Sequence, residues 1–576
     1  NAILQISFVG YQTSDVSVKG QNNIKVVLSE DTETLDEVVV IGYGSVKKST
    51  LTGAVAKMDS KAIEDRPLAR AENALQGQLA GVTVRNTTGE PGADMQIRVR
   101  GAASVNANSD PLYVVDGVPM NTLSGLNPSD IASIEVLKDA ASAAIYGSRG
   151  SNGVVLVSTK QGKSGKAKVA FNASFGVQTL EKKMDVLNAT EWMEFKLRWN
   201  DANYLQEAKK LGLTSASIKD DNATRLSNLG IQAGTANSYL VVFDERWFNY
   251  LGDDMRNAHT YTPNPEQLSL LDWQDEFFKL GTTQDYNLTL SGGNMNGNYL
   301  VSGNFFKQDG VVEGPWHKRY SLRVNTGYKK GIFTFGENML VSRTETRPMT
   351  GTSFIDLLRM PPVIPVYDDT KAGGYGTGST QYQTYGTNPI GQQETRDYRQ
   401  TSNRIIGNVF AELEFFKCLK LKTNLGVEYH NWFDREKETY KQIRYLEVSN
   451  YDNQLLERKG DFTTIISENT LNFNKKFGKH SIEALLGYTA EKTQWKQHEA
   501  SVKNLTEGYW VLSAGKTEPS VTGTDSDYAM TSILGRVNYA YADKYLFQFN
   551  IRRDGSSRFG KNYRYGTFPS FSLGWR

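Results

Sequence analysis

The greater part of the chain alternates hydrophobic and polar residues with a period of two. The first clear run begins after Lys166, where Ala167, Phe171, Phe175 and Val177 share one face. Such alternation predicts a half-buried β-strand, and this one is long enough to cross a bilayer, which takes about 9–11 residues of a tilted strand. The pattern recurs and predicts roughly twelve or thirteen strands. The clearest repeats share these apolar residues on one face: Tyr286, Leu288, Leu290; Tyr320, Leu322, Val324; Leu421, Leu425, Val427, Tyr429; Ile533, Val537, Tyr539, Tyr541; and Tyr545, Phe547, Phe549, Ile551.

The predicted strands are joined by connections of two kinds. Short turns are expected around Gly297, Cys418, Gly478 and Asp543. Long loops are expected from Leu180 to about Thr283, from Thr344 to Gln400 and from Trp495 to Asp527. Short turns at one rim and long loops at the other are the layout of an outer-membrane barrel. The first long insertion also predicts a helix over Thr190–Leu211 and a core of its own, to which Trp192, Trp199, Trp247 and Trp273 contribute.

Before Gly162 the pattern changes to short apolar runs bounded by Gly, Pro, Asn or Asp, which predict short strands and tight turns. These runs are Val82–Arg85, Gln96–Gly101, Pro111–Pro119, Ile131–Val136 and Val154–Lys160. The pair Asp116-Gly117 predicts a hairpin turn. Helices are expected over Ala71–Leu79 and Asp139–Tyr146, because each run is followed by a glycine that can end a helix. The segment therefore predicts a compact α+β unit.

The same segment resembles a known domain. The series IRVRG, PLYVVDGVP and IEVLKDAASAAIYGSRGSNGVVLVSTKQG is similar to the plug of TonB-dependent outer-membrane transporters, in the SusC/RagA branch of Bacteroidota. The residues that carry this signature are Arg98, Arg100, Gly101, Asp116, Gly117, Tyr146, Gly147 and Gly153. The resemblance implies a mainly β fold, with an N-terminal α+β plug inside a large antiparallel transmembrane β-barrel of about 22 strands.

The resemblance also implies an order of domains. Residues 1–30 resemble the end of a carboxypeptidase-regulatory-like β-sandwich, and residues 31–44 are expected to hold a linker and a TonB-box-like segment. Residues 45–162 would form the plug, and residues 163–576 a barrel with long extracellular loops. The final segments resemble the middle of such barrels. We therefore expect roughly half of the strands of a plugged transporter barrel here, without its C-terminal half.

One segment of the linker has a distinctive composition. It consists of Leu35, Asp36, Glu37, Val38, Val39, Val40 and Ile41. Its β-branched residues favour an extended backbone, and the glycines that follow permit a hinge. An extended, tethered segment can add as a strand to the sheet edge of a partner. The residues alone leave an ordinary core strand equally open, and the resemblance implies the TonB box, which pairs with TonB acting with ExbB and ExbD.

Composition excludes several classes of protein. Hydrophobic residues make up 39% of the chain and the mean hydropathy is −0.48. No run approaches the ~18 apolar residues of a membrane helix, whereas a transmembrane barrel hides its apolar face by alternation. The net charge of +2 gives no sign of a nucleic-acid partner. The single cysteine, Cys418, excludes an intramolecular disulfide framework.

The sequence gives little indication of catalysis. Its 5 histidines are scattered and none makes a metal-binding spacing. No G-x-S-x-G nucleophile elbow occurs. Gly147, Gly150 and Gly153 follow a predicted helix instead of opening one after a strand, which is the wrong context for binding nucleotide phosphates. We therefore expect no catalytic residue, no metal and no cofactor.

The function implied by the resemblance is active import across the outer membrane. A barrel surrounded by outer-membrane lipid would take up oligosaccharides with TonB and a SusD-like surface lipoprotein as partners. RagA-type relatives take up oligopeptides instead, which leaves that alternative open. A passive porin or a surface adhesin is a further alternative, although neither has a use for a motor-binding segment. A secreted glycan hydrolase would need converging carboxylates and no alternating lipid-facing residues.

Overall fold

The computed structural model describes most of the chain. The described residues are 3–6, 14–17, 26, 38–41, 43–47, 53–60, 63, 68–86, 88–101, 109–243, 271–351, 353–378, 384, 386–445 and 452–576. The predicted role of Trp247 and the first three residues of the TonB-box-like segment lie outside them. So does nearly all of 18–37, and the statements below concern the described residues.

Short strands form the part of the chain before Gly165. They are β1 (Ile3–Ile6), β2 (Ser14–Ser17), β3 (Val38–Ile41), β4 (Gly44–Lys47), β5 (Val55–Asp59), β6 (Val82–Asn86), β7 (Met95–Val99), β8 (Leu112–Val115), β9 (Val118–Met120), β10 (Ile131–Leu137) and β11 (Val154–Thr159). Three antiparallel hairpins pair β1 with β2, β3 with β4, and β6 with β7. The strands predicted between Val82 and Thr159 are confirmed in position.

A mixed sheet of five strands, in the order β5-β10-β11-β8-β9, forms the centre of the unit that we call the plug, residues 53–160. β8 runs parallel to β11, and the other neighbours are antiparallel. Asp116 and Gly117 join β8 to β9 with φ of 49° and 92°, as the two central positions of a type I′ turn require, so the predicted hairpin is confirmed. The buried core includes Leu75, Ile97, Val115, Ile131, Ile134, Val136 and Val157.

The two helices predicted in the plug are shorter or less regular than expected. The first is only a 3-10 helix, Ala71–Leu75, because Gly77 turns the chain with a φ of 70°. The second begins as α1 (Ala140–Ala143), where the Asp139 carboxylate accepts a hydrogen bond from the Ser142 N–H at 2.9 Å. It continues as 3-10 turns over Ala144–Gly150, which Gly147 interrupts with non-helical angles.

Long strands form a sheet of twelve that we call the wall. They are β12 (Gly165–Gln178), β13 (Gly281–Gly293), β14 (Gly297–Asp309), β15 (Trp316–Lys330), β16 (Phe333–Arg347), β17 (Arg396–Phe415), β18 (Leu419–Glu438), β19 (Gln454–Phe477), β20 (His480–Lys503), β21 (Thr517–Tyr541), β22 (Tyr545–Ser556) and β23 (Tyr565–Trp575). Each strand pairs antiparallel with the next in sequence, and no pairing between β12 and β23 occurs among the described residues. The mainly β fold class and the predicted strand number are confirmed.

The two faces of the wall differ as the alternation predicted. On the outer face Phe171 is 64% and Leu322 is 48% exposed. On the inner face of β15, the neighbours of Leu322 in sequence, Ser321 and Arg323, are buried. The inner face is therefore polar and covered by the plug, while the apolar residues point outward. Burying polar residues at this face requires partners for them, which the plug supplies.

Most of the predicted connections are confirmed, with one correction. The short turns follow β13, β17, β19 and β21, and the long connections are 179–280 and 348–395. The loop predicted from Trp495 to Asp527 is wrong, because β20 continues to Lys503 and β21 begins at Thr517. The pairing of β20 with β21 continues through mainly polar residues beyond the alternating segment, and Trp495 pairs with Ser526. A connection that the pattern did not predict, 439–453, follows β18.

Helices lie in the two long connections. They are α2 (Ala189–Lys210), α3 (Asn222–Leu229), α4 (Ser238–Val241), α5 (Trp273–Phe277), α6 (Ser353–Arg359) and α7 (Pro389–Thr395). α2 confirms the helix predicted over Thr190–Leu211, and Asn188 and Glu191 close its N-terminus as a capping box. Its residues Met193 and Leu197 share a buried core with Trp273 and Phe277, and residues of the second connection complete that core.

Among the described residues, no helix is both long and apolar enough to cross a membrane.

Candidate functional site

The contacts between plug and wall centre on Asp116, the residue of the β8–β9 turn. Its carboxylate accepts hydrogen bonds from the Thr159 N–H at 3.0 Å and the Thr159 hydroxyl at 2.7 Å. On the wall, the guanidinium of Arg323 forms an ion pair with the same carboxylate at 2.5 Å. The Arg323 side chain is 2% and that of Asp116 10% exposed. Removing one partner of a buried pair costs about 3–5 kcal/mol, because the other charge is left without compensation, so this contact depends on both residues.

A second contact lies where the plug meets β13, β14 and β15. The Ser302 hydroxyl of the wall donates to the Asp130 carboxylate at 2.6 Å, and the Asn127 amide donates to Asn287 at 2.8 Å. Arg319 donates to the carbonyl oxygen of Ala69 at 2.6 Å. Burial raises the pKa of the Asp130 carboxyl, and nearby arginines of the wall act in the opposite direction. Charged and amide groups of the wall therefore satisfy plug groups that would otherwise be buried without partners.

A third contact holds the 3-10 turns of the plug against β20 and β22. Arg552 donates to the Ile145 carbonyl at 2.6 Å and pairs with Asp554 at 2.5 Å. Arg149 pairs with Glu491 at 2.5 Å. Gly147 packs directly on Arg552 and Asp554. Its backbone has a φ of 62° and a ψ of −142°, and a Cβ built on it would lie 2.0 Å from the Asp554 carboxylate. Only glycine fits both this backbone and this space.

The described part of the TonB-box-like segment lies beside the third contact. Val38–Ile41 forms β3, which pairs with β4, while Leu35, Asp36 and Glu37 lie outside the described residues. Tyr43 is the second residue after the end of β3, and its ring stacks on that of Tyr146 with the ring centroids 6.1 Å apart. Burial raises the pKa of the Tyr43 phenol, so that this hydroxyl stays neutral. The segment is thus tied to the plug through a side chain two residues after it.

The rim of long connections carries an aromatic cluster. Tyr367 and Tyr375 donate to the two oxygens of the Glu394 carboxylate at 2.7 and 2.8 Å, and their rings lie 5.7 Å apart. Burial raises the pKa of Tyr367 to about 12, and the hydrogen bond to Glu394 adds to this shift. Tyr367 is 56% exposed, so one aromatic face is open to a ligand. A cavity of about 690 Å³, to which Trp192 and Trp273 contribute, lies on the same rim.

Similar proteins identify the family to which this architecture corresponds. The family described as "TonB-dependent Receptor Plug Domain" matches residues 47–154. TonB-dependent receptor P3 of Formosa agariphila is 33% identical over 593 residues, which cover 100% of this chain and 52% of that protein. TonB-dependent receptor SusC of Bacteroides thetaiotaomicron is 30% identical over 610 residues, which cover 100% of this chain and 54% of that protein. The chain belongs to the SusC/RagA family of TonB-dependent receptors.

A solved structure supports the same conclusion for the fold. The RagAB peptide importer in its open-open state superposes with a TM-score of 0.74 at 27% identity, over 93% of this chain and 58% of that one. The chain spans about half the length of the curated relatives it matches. The wall is therefore part of a receptor barrel, and the plug is the domain that lies against its inner face.

The signature residues of this receptor fall into two groups. Asp116, Gly117, Tyr146 and Gly147 lie at the contact between plug and barrel wall, and Gly153 packs on Val99 inside the plug. Arg98 and Arg100 lie apart from them, at the β6–β7 hairpin, and Gly101 follows directly. The structure therefore brings together half of the signature and assigns the arginines to a different part of the plug.

Sequence reasoning did not find the arginines of the barrel wall that hold the plug. They are Arg319, Arg323, Arg404 and Arg552, each buried on an inward position of a strand. The sequence contained a signal for them, because an arginine that alternates with outward-facing aromatic residues along a barrel strand points into the lumen. Their partners lie up to 407 residues away in sequence, so spacing could not pair them. Among the described residues, no His, Cys, Asp and Glu side chains gather in a group that could hold a metal ion.

Proposed function

We propose that this receptor imports nutrient oligomers, oligosaccharides in particular, across the outer membrane in a TonB-dependent manner. The observation that carries the proposal is the buried ionic attachment of the plug to the barrel wall at Asp116–Arg323. A plug held by such contacts would remain in the lumen until they are broken. Passage then needs work done on the plug, which a passive porin has no means to supply.

The partners follow from the same reasoning. TonB, driven by ExbB and ExbD, would pair with Leu35–Ile41 by strand addition and pull on the plug. A SusD-like surface lipoprotein would cover the rim of long connections and deliver the substrate there. The outward apolar residues of the wall, such as Phe171 and Leu322, would contact outer-membrane lipid.

The choice between oligosaccharides and oligopeptides depends on the rim of long connections and on the structural likeness to a known importer. Oligosaccharides are favoured by the exposed Tyr367 ring and by the Tyr, Gln, Thr, Ser and Gly residues of 375–387 in the same connection, because sugars bind to aromatic faces and to amide or hydroxyl partners. Oligopeptides are the second candidate, and the structural likeness to the RagAB peptide importer favours them.

An uptake experiment distinguishes these substrates. Cells that produce the receptor would be offered a glycan panel, an oligopeptide pool and ferric siderophores, each with and without a functional TonB. We expect TonB-dependent glycan uptake. Uptake of peptides alone would exclude the glycan proposal and keep the importer, and uptake independent of TonB would exclude active import. Tyr367→Ala should weaken glycan binding, whereas the exposed Tyr563→Ala at another loop serves as its control.

The TonB-box-like segment has its own test. Val39→Pro removes one N–H donor and fixes φ, so it should prevent strand addition to TonB. β3 pairs only with β4 among the described strands, and so barrel folding and surface ligand binding should stay normal while growth on the substrate is lost. Normal growth would remove the basis for assigning this segment to TonB. Loss of folding together with growth would favour a core strand instead.

A further inference from the structure

A cavity of about 740 Å³ lies between the plug and the barrel wall. Its plug side is formed by β8 and β11, including Asp116 and Ser158, and its wall side by strands from β17 to β21. These wall strands are paired on both sides, so the wall side of the cavity is continuous sheet. Lys417 and Cys418, at the short turn after β17, form one end. The cavity therefore reaches the rim of short turns from the middle of the lumen.

The lining of the cavity is hydrophilic and mixed in charge. Carboxylates such as Glu412 and Glu468 alternate with basic groups such as Lys420 and Arg536, and amides and hydroxyls lie between them. Lys420 and Glu412 form an ion pair at 3.2 Å, so part of the charge is neutralised. A volume in the range of about 300–1,000 Å³ is typical of cavities that hold small ligands. The lining suits a hydrated solute without a large net charge.

Tyr43 lines this cavity together with Tyr146. Its ring stacks on Tyr146 of the plug and packs beside a buried cluster that includes Leu485 of the wall. Its hydroxyl interacts electrostatically with the Glu468 carboxylate and the Arg552 guanidinium of the wall. One side chain thus joins three parts of the molecule: the β3–β4 hairpin, the plug and the barrel wall. It lies two residues after the end of β3, so tension on β3 reaches it first.

We propose that this cavity is the exit route for a hydrophilic solute towards the periplasm, and that Tyr43 is the latch that keeps it closed until β3 is pulled. The inference rests on the proposed import function for the identity of the pulling partner. The latch itself depends only on contacts within this chain. Withdrawal of β3 would extract the Tyr43 ring from between Tyr146 and the wall, and would leave Glu468 facing open solvent.

The experiment measures access to the cavity by cysteine labelling, without substrate or TonB. Cys418→Ser removes the cysteine of these 576 residues, and any cysteine in the flanking sequence is replaced by serine as well. Thr470→Cys then places a buried reporter in the cavity wall. The receptor, with any sequence that flanks these residues naturally, is purified from outer membranes and treated with a polyethylene-glycol maleimide. We expect slow labelling with Tyr43 present, and labelling at least about tenfold faster in Tyr43→Ala, because truncating a packed aromatic ring removes its contacts with Tyr146 and the wall.

Two further variants keep the result interpretable. Tyr43→Phe retains the ring and loses only the hydroxyl, so its labelling rate should lie between the other two. Tyr113→Phe removes the hydroxyl of another buried plug tyrosine, outside the cavity, and should change nothing. A second reporter, Ser321→Cys, lies buried on the inner face of β15 away from the cavity and reports release of the whole plug.

The outcomes separate the latch from other roles. Faster labelling of the Thr470 reporter alone in the Tyr43 variants supports the latch. Equal labelling of Thr470→Cys in all Tyr43 variants overturns it. Faster labelling of both reporters also overturns it, because Tyr43 would then fasten the plug in general. Since no uptake is measured, failure of the import function would leave this result unaffected, and the reverse also holds.

Discussion

At the residue scale, the receptor places arginines of the barrel wall against carboxylates and carbonyl oxygens of the plug. Asp116 has two functions there, because it forms the β8–β9 turn with positive φ and also pairs with Arg323. Asp and Asn tolerate this backbone conformation better than most residues. A signature residue that looks like a turn residue in the sequence is therefore also an ionic attachment point.

The first prediction concerns this attachment. Asp116→Asn keeps the turn, since asparagine accepts the same φ, but removes the ion-pair partner of the buried Arg323. We expect the plug to lose about 3 kcal/mol of stability against release from the wall, within the range for a broken buried pair. Chemical unfolding of the purified receptor, followed by protease sensitivity of the plug, measures the loss. Asp116→Asn combined with Arg323→Met should recover part of it, and additive losses would contradict direct coupling.

A second prediction concerns Gly147. Gly147→Ala should destabilise the attachment by about 1–3 kcal/mol, because an L-residue is strained at this φ and ψ and its Cβ would collide with Asp554. Gly89→Ala is a matched control, since Gly89 has a φ of 71° and nothing within 4 Å of an added Cβ. The same unfolding measurement should show a clearly larger loss for Gly147→Ala. Equal losses would mean that backbone strain alone matters.

At the element scale, helix α2 in the first long connection carries a buried lysine. The Lys196 ammonium has no hydrogen-bond partner and lies 3.8 Å from the centre of the Trp199 ring. Burial lowers the pKa of Lys196 to about 8. Since the unfolded chain keeps the proton up to about pH 10.4, the unfolded state binds more protons between these values. Stability should therefore rise with pH over this interval.

This expectation gives the third prediction. The free energy of unfolding of the α2 region should increase from about pH 8 to about pH 10, by at most about 3 kcal/mol. Lys196→Met should remove the pH dependence and stabilise the region at pH 7. Loss of the helical circular-dichroism signal on heating measures both effects. Lys210→Met, at an exposed position of the same helix, should behave like the unchanged receptor. A fall in stability over this pH range would contradict the assignment.

Much of this element structure could be predicted because strands and hairpins depend on local patterns. Alternation located the strands of the wall, and Asp116-Gly117 located a hairpin, since side chains alternate sides and turn residues are specific. The ladder of β20 and β21 beyond Trp495 could not be predicted, because it is held by backbone pairing of polar residues. The site was harder still. The partnership of Asp116 with Arg323 depends on the docking of two units, which no local pattern encodes.

At the scale of the whole molecule, the plug and the barrel wall form a matched pair of surfaces. The wall buries polar residues inward and exposes apolar ones outward, the reverse of a soluble domain. The plug supplies partners for those inward groups at Asp116, Asp130 and Ile145. Neither surface could bury its charged groups without partners from the other. These pairings fix the position of the plug, and they form a few separate contacts.

The last prediction follows from that arrangement. In receptor embedded in outer-membrane vesicles, trypsin should cut first at Lys182 and Lys183, in the exposed connection after β12. It should spare Arg149, because this side chain is paired with Glu491 of the wall. Fragments identified by mass spectrometry give the order of cleavage. Asp116→Asn should advance cleavage of the plug sites and leave the sites after β12 unchanged, since it weakens only the attachment. Rapid cleavage at Arg149 in the unchanged receptor, while the wall stays intact, would show that the plug is not enclosed.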